Sequence, residues 1–150
     1  MSTSCLIGMT QPDESIKYIR CNWDGMPNVT GEILHKHYSD PDKIRALLDL
    51  GDLSYLEKEV EPPKGYAHTF EHPAPDTTVA YVRDRGETEA MNKARVAINE
   101  ATFRDQAIGE GACYAYLFMT KNGTWFCREY DGNLHKWKAI TTLASCLAVS

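Results

Sequence analysis

CYAYLFMTKNGTWFCREY, residues 113–130, sets two aromatic, apolar runs on either side of Asn122-Gly123. Asn-Gly readily takes the positive φ angles of a tight hairpin turn, so 113–121 and 124–130 are expected to pair antiparallel. With a two-residue loop Lys121 opposes Thr124. The pleat then puts Tyr114, Tyr116 and Phe118 on one face with Trp125 and Cys127, and Leu117, Met119 and Phe126 on the other. A sheet apolar on both faces carries a packed layer on each side, or a layer on one side and a ligand or partner on the other. Asp131-Gly132-Asn133 leads into a third strand over 134–141, which completes a three-stranded meander.

Upstream, 87–106 spaces Ala90, Met91, Ala94, Ala97, Ile98 and Ala101 at helical intervals. Glu87 and Glu89 stand where a helix favours acids, and Gly109 and Gly111 follow. The run 77–83, Thr-Thr-Val-Ala-Tyr-Val-Arg, is β-branched and aromatic, and is expected to be a buried strand. Residues 15–23 set Ile16 and Tyr18 against Ile19, Cys21 and Trp23, a strand pattern closed by Asp24-Gly25. Asn28 or Thr30 can cap a helix carrying Ile33, Leu34 and Tyr38. Ser39-Asp40-Pro41 restarts a second, with Ile44, Leu47 and Leu48 on its apolar face and Gly51 at its end. Residues 59–76 hold four of the seven prolines and read as a loop, and residues 1–14 are expected to be loosely ordered. The expected fold is a single α+β domain over 1–150, an antiparallel-rich sheet whose C-terminal meander packs against about three helices.

A chain of 150 residues can bury a core without staples, and 43% hydrophobic with 25% charged residues excludes a disordered or collagen-like chain. The net charge of -5 argues against direct nucleic-acid binding, because phosphate neutralisation needs clustered Lys and Arg. The longest apolar runs, such as Tyr114–Met119, fall far short of the roughly 20 residues that cross a bilayer, so no membrane association is expected. Met1 to Gly8 lacks the basic and apolar segments of an export signal, so the protein is expected to stay where it is made. Five cysteines form no C-x-x-C pair, which points to buried, reduced thiols rather than a disulfide framework or zinc. No metal and no cofactor are expected.

Arg83-Asp84-Arg85-Gly86 leaves a strand and enters a helix, where backbone N–H groups and guanidinium forks can bind an anion. Asp84 can instead pair with its flanking arginines or cap the helix. Trp23-Asp24-Gly25 ends a strand in the same way. It offers an aromatic platform beside a carboxylate for a base or a cation, or else a core Trp behind a turn Asp. Trp23, Asp24, Arg83, Asp84 and Arg85 are therefore the candidate ligand-binding residues, with no catalytic set. His68 and His72 stand four apart as metal ligands on a helix would, but the prolines around them make exposed loop histidines of both. No nucleophile elbow, phosphate-binding loop, dinucleotide fingerprint or H-E-x-x-H is present.

Trp23-Asp24-Gly25-Met26-Pro27, Leu50-Gly51-Asp52-Leu53-Ser54 and Tyr81-Val82-Arg83-Asp84-Arg85-Gly86-Glu87, taken in order, resemble a set of small bacteriophage-encoded proteins without settled function. The resemblance spans about residues 15–90, with a looser match in the meander. It implies a phage accessory protein acting in the host cytoplasm, of the kind that often inhibits host defence, and it carries over no catalytic residue. The expected function is non-enzymatic: binding and inhibiting a host defence protein, or sequestering a small anionic nucleotide signal. One alternative is a small enzyme acting on a nucleotide or phosphate ester through Asp24, Asp84 and His68. The other is a structural phage component that forms a homo-oligomer.

Overall fold

The computed structural model describes residues 3–148. In chain order the strands are β1 Cys5–Thr10, β2 Ile16–Cys21, β3 Leu53–Tyr55, β4 Val79–Ala80, β5 Arg95–Ala97, β6 Tyr114–Met119, β7 Thr124–Asp131, β8 Lys136–Trp137 and β9 Thr141–Thr142. The helices are α1 Glu32–His37, α2 Pro41–Asp49, α3 Tyr81–Arg85, α4 Glu89–Asn92, α5 Glu100–Gly109 and α6 Leu143–Ala148, with a wide helical turn at Pro27–Gly31 ahead of α1. They build one sheet in the order β4-β3-β2-β1-β6-β7-β8, while β5 lies beside β2 and β9 beside β7.

The centre of this sheet is β1, which pairs antiparallel with β2 and parallel with β6. Residues 1–14 were expected to be loosely ordered. Instead Cys5, Leu6, Ile7 and Met9 are almost fully buried, and of this stretch residues 1 and 2 lie outside the described residues. The segment shows no polar alternation because both its faces are covered. Cys5, Ile7 and Met9 face a core with Ile44, Leu47, Tyr116, Phe118 and Trp125, under α1, α2 and α6. Leu6 faces a second core with Tyr18, Phe103, Ala107 and Leu117, under α5. Both cores share one sheet, so the chain is a single α+β domain with a packed layer on each side. Among the described residues no helix is long and apolar enough to cross a membrane.

The sheet is mixed rather than antiparallel-rich, since β1–β6 and β2–β3 are parallel. The hairpin forms, but Met119 opposes Thr124 across a four-residue loop. Gly123 alone of the Asn122-Gly123 pair takes a positive φ, 61°. The register moves by two, so every side chain keeps its expected face, and Phe118 lies against Trp125 with ring centroids 5.3 Å apart. The third strand of the meander breaks into β8 and β9, both paired with β7. Asp131 holds the turn from β7 into β8, taking the N–H groups of Asn133 and Leu134 on one carboxylate oxygen at 2.9 and 3.1 Å.

Two further expectations fail where side chains reach back to backbone. The expected strand 77–83 shrinks to β4 and becomes α3, because the Asp84 carboxylate accepts the Ala80 N–H at 2.7 Å. The expected helix 87–106 divides into α4, β5 and α5. Pairing with β2 extends Arg95–Ala97, and Asn99 restarts the helix by accepting the Thr102 N–H at 2.9 Å. In all, six helices cover the sheet among the described residues, where about three were expected.

Candidate functional site

Both candidate turns leave the sheet, and local hydrogen bonds dictate their shape. Asp24 takes φ 58° and its carbonyl accepts the Thr30 hydroxyl at 2.6 Å, while the buried Tyr116 hydroxyl donates to the Gly25 carbonyl at 2.7 Å. Trp23 is 50% exposed, with its N–H on the Ser54 carbonyl at 2.9 Å. Among the described residues Trp23 and Asp24 make no hydrogen bond or ion pair with Arg83, Asp84 or Arg85, so the five candidates do not converge. Trp23-Asp24-Gly25 is a corner of the fold.

Arg83 does not face a ligand. Its Nη1 donates to the Val60 carbonyl at 2.7 Å, its Nη2 to the Thr78 carbonyl at 2.8 Å, and its Nε to Asp84 Oδ1 at 2.8 Å. Asp84 is itself buried, with a side chain 2% exposed, and meets His68 Nε2 at 3.2 Å. Burial pushes its carboxyl up. The Arg83 and Ala80 hydrogen bonds, with the charge of Arg83, outweigh that and hold it below the usual carboxylate value. His68, expected in solvent, has a side chain only 3% exposed. Its Nδ1 accepts the Ala74 N–H at 2.8 Å, which assigns the ring proton to Nε2, facing Asp84. His68, Arg83 and Asp84 thus tie the proline-rich segment to α3.

Arg85, the remaining candidate, is 54% exposed along its side chain and borders a polar cleft of about 460 Å³. Strand β2 supplies Arg20 and the residue after it Asn22, the chain before β3 supplies Asp52, α3 supplies Tyr81 and Arg85, and Glu87 and Asn92 complete the lining. Gly51 makes the approach possible. Its φ of 78° lies in the left-handed region, and a Cβ there would run into the Asn92 carbonyl oxygen. That carbonyl accepts the Asp52 N–H at 2.7 Å, which seats the end of α4 on the cleft.

The cleft is hydrogen-bonded from behind. Asn22 Nδ2 donates to the Tyr81 hydroxyl at 2.7 Å, so that hydroxyl is left to donate outward. Arg20 Nε donates to Asn22 Oδ1 at 2.6 Å and its Nη1 to the Glu110 carbonyl. Asp52 accepts the Arg20 N–H at 2.9 Å and Arg95 Nη1 at 3.2 Å, and Arg95 Nη2 reaches Glu110 Oε1 at 3.0 Å. Burial pushes the Asp52 and Glu110 carboxyls up, against the pull of Arg95 on both. Among the described residues Arg85 pairs only with Glu87, at 3.3 Å, and lies over the Phe70 ring, 5.0 Å from its centroid.

No family model, curated protein or solved structure matches the chain.

The cleft therefore has to be read from its own chemistry. Two guanidinium groups, a phenol and two amides line the cavity beside the Asp52 and Glu87 carboxylates, and supply donors for a small ligand bearing several acceptor oxygens. Sequence reasoning found Arg85 and missed the rest. Arg20 lay unremarked in the expected strand 15–23, Tyr81 in an expected strand, and Asn92 and Arg95 inside one long expected helix that divides. The Leu50-to-Ser54 motif contained Asp52 without indicating its role.

Proposed function

We propose that the protein is a non-enzymatic bacteriophage accessory protein that sequesters a small anionic nucleotide signal in the cytoplasm of the infected cell. The observation that carries this reading is the pair Arg20 and Arg85, lining one polar cleft together with Tyr81. Arg20 Nη2 has no hydrogen-bond partner among the described residues, and Arg85 is held by a half-exposed pair with Glu87 and by the Phe70 ring beneath it. A phosphate exchanges that weak surface pair for a charge-assisted fork. Asn22 and Asn92 add neutral donors and acceptors suited to a sugar or base edge.

Calorimetry with cyclic mono- and dinucleotides tests it. Saturable binding is expected, and Arg20→Ala and Arg85→Ala should each weaken it about tenfold or more, because a charged hydrogen bond contributes roughly 1.5–3 kcal/mol. The ligand should be recovered unchanged. Absence of binding to every nucleotide tried would reject the reading and favour the inhibitor of a host defence protein, for which Trp23 and Tyr66, each 50% exposed, offer aromatic anchors.

The enzymatic alternative draws on a different observation. Asp52 lines the cleft with its carboxyl raised by burial, as acid–base chemistry on a phosphate ester requires. Ligand turnover that Asp52→Asn abolishes would establish it in place of sequestration.

A further inference from the structure

The geometry points to the segment 59–76 as a latched strap: the buried imidazole of His68, set against Asp84 and Arg83, holds it, and the strap in turn sets the Tyr81–Arg85 wall of the cleft. This deepens the cleft reading above and rests on it for its functional meaning. At its base the strap is closed by backbone, with the Glu59 N–H on the Asp76 carbonyl at 3.0 Å and the Thr78 N–H on the Glu59 carbonyl at 2.9 Å. Arg83 grips its first turn at the Val60 carbonyl.

Beyond that turn, residues 63–67 are exposed, and the polar ties to α3 fall on Asp84 and on Arg83, whose Nη2 lies 3.5 Å from His68 Nε2. The Asp84 carbonyl accepts the Phe70 N–H at 3.1 Å, and the Asp84 carboxylate faces His68 Nε2 at 3.2 Å. The other ring nitrogen of His68 accepts the Ala74 N–H, so one imidazole both closes the strap on itself and fastens it to α3. Phe70 is the part that reaches the cleft. Its ring lies 6.0 Å from Tyr81 and beneath the Arg85 guanidinium, and both of these line the cavity. A strap whose middle is exposed and whose polar fastening centres on one imidazole opens as a local unit before the sheet does. When it opens, Phe70 leaves and Arg85 loses the surface on which it rests. His68 is thus a positioning residue for Arg85, acting through Phe70.

Two ligand-free readouts test this on the full chain. Trypsin should cut the exposed Lys64-Gly65 bond about tenfold or more faster in His68→Ala than in wild type, with the melting temperature little moved. His68→Gln keeps a donor toward Asp84 and should restore much of the protection. NOE contacts between the Phe70 and Tyr81 rings should disappear in the alanine variant. In the wild type, the Phe70 and Ala74 amides should exchange at one common rate, faster than those of Ile7 and Leu117 in the central strands. Unchanged cleavage at Lys64, cleavage rising equally at sites outside the strap, or retained Phe70–Tyr81 contacts would each overturn the proposal. So would Phe70 and Ala74 amides that exchange only with the core. Failure of the cleft reading shows up elsewhere, as a wild-type chain that binds no nucleotide while its strap still opens as stated.

Discussion

Arg83→Ala should destabilise the fold severely, whereas Arg85→Ala, two residues away, should hardly be felt. Arg83 donates to the Val60 and Thr78 carbonyls at 2.7 and 2.8 Å and forks onto Asp84 at 2.8 and 3.1 Å. Truncation strands two backbone acceptors and leaves the Asp84 carboxylate, 2% exposed, without its principal counter-charge. Removing one member of a buried pair costs about 3–5 kcal/mol. Arg83 is 24% exposed, so water recovers part of that, and about 2–4 kcal/mol is expected. Arg85 is 54% exposed and makes one ion pair, which contributes about 0–1 kcal/mol. For a chain of this size 1 kcal/mol moves the melting temperature by about 2–4 °C, so Arg83→Ala should melt roughly 4–16 °C lower and Arg85→Ala within about 4 °C of wild type. Urea titrations with equal slopes would separate the two. Equal losses in both variants, or less than about 0.5 kcal/mol for Arg83→Ala, would refute the assignment of Arg83 to the fold rather than to the ligand.

Asp84→Asn should cost stability in a pH-dependent way. The folded carboxyl lies below its unfolded value of about 3.9, so its contribution is fully present above that pH and is lost as pH falls through the folded value. The gap between wild type and variant should therefore be constant from pH 7 to about 5 and narrow below about 4, and a gap unchanged to pH 2 in urea titrations would contradict this. Gly51→Ala should cost about 1–3 kcal/mol and shift the Asn92 resonances, since both the φ of 78° and the Asn92 carbonyl oppose a Cβ. The hydroxyl of Tyr38, whose pKa burial raises to about 12, should stay protonated in absorbance titrations to pH 11; Tyr38→Phe should leave the curve below that pH unchanged.

Signals carried by neighbouring residues were legible in the sequence, and those carried across space were not. Asn122-Gly123 announced the hairpin and its faces, and Asp40, Pro41 and Gly51 bracketed α2 as read. The burial of β1 was hidden because a strand covered on both sides shows no alternation, only the short apolar run Cys5 to Met9. The helical spacing in 87–106 was real. It lost to strand pairing with β2 and to the tie of Arg95 to Asp52 and Glu110, residues 43 and 15 positions away. Of the candidate residues, Arg85 alone borders the cleft. Arg83 and Asp84 took the bland role weighed beside the anion site, and His68 joined them because the prolines that exclude a helix also fold its ring inward. Arg20, Asn22 and Tyr81 carried no local mark, since their convergence depends on the crossover from β2 to β3 and α3.

The most direct measurement is a nitrogen-15 chemical-shift titration of the wild-type chain with a cyclic dinucleotide, following side-chain as well as backbone signals. Saturable shifts should concentrate on the Arg20 and Arg85 guanidinium groups, the Asn22 and Asn92 amides and the backbone around Tyr81. An unresponsive cleft, or shifts that gather on other surfaces, would contradict the assignment of this site.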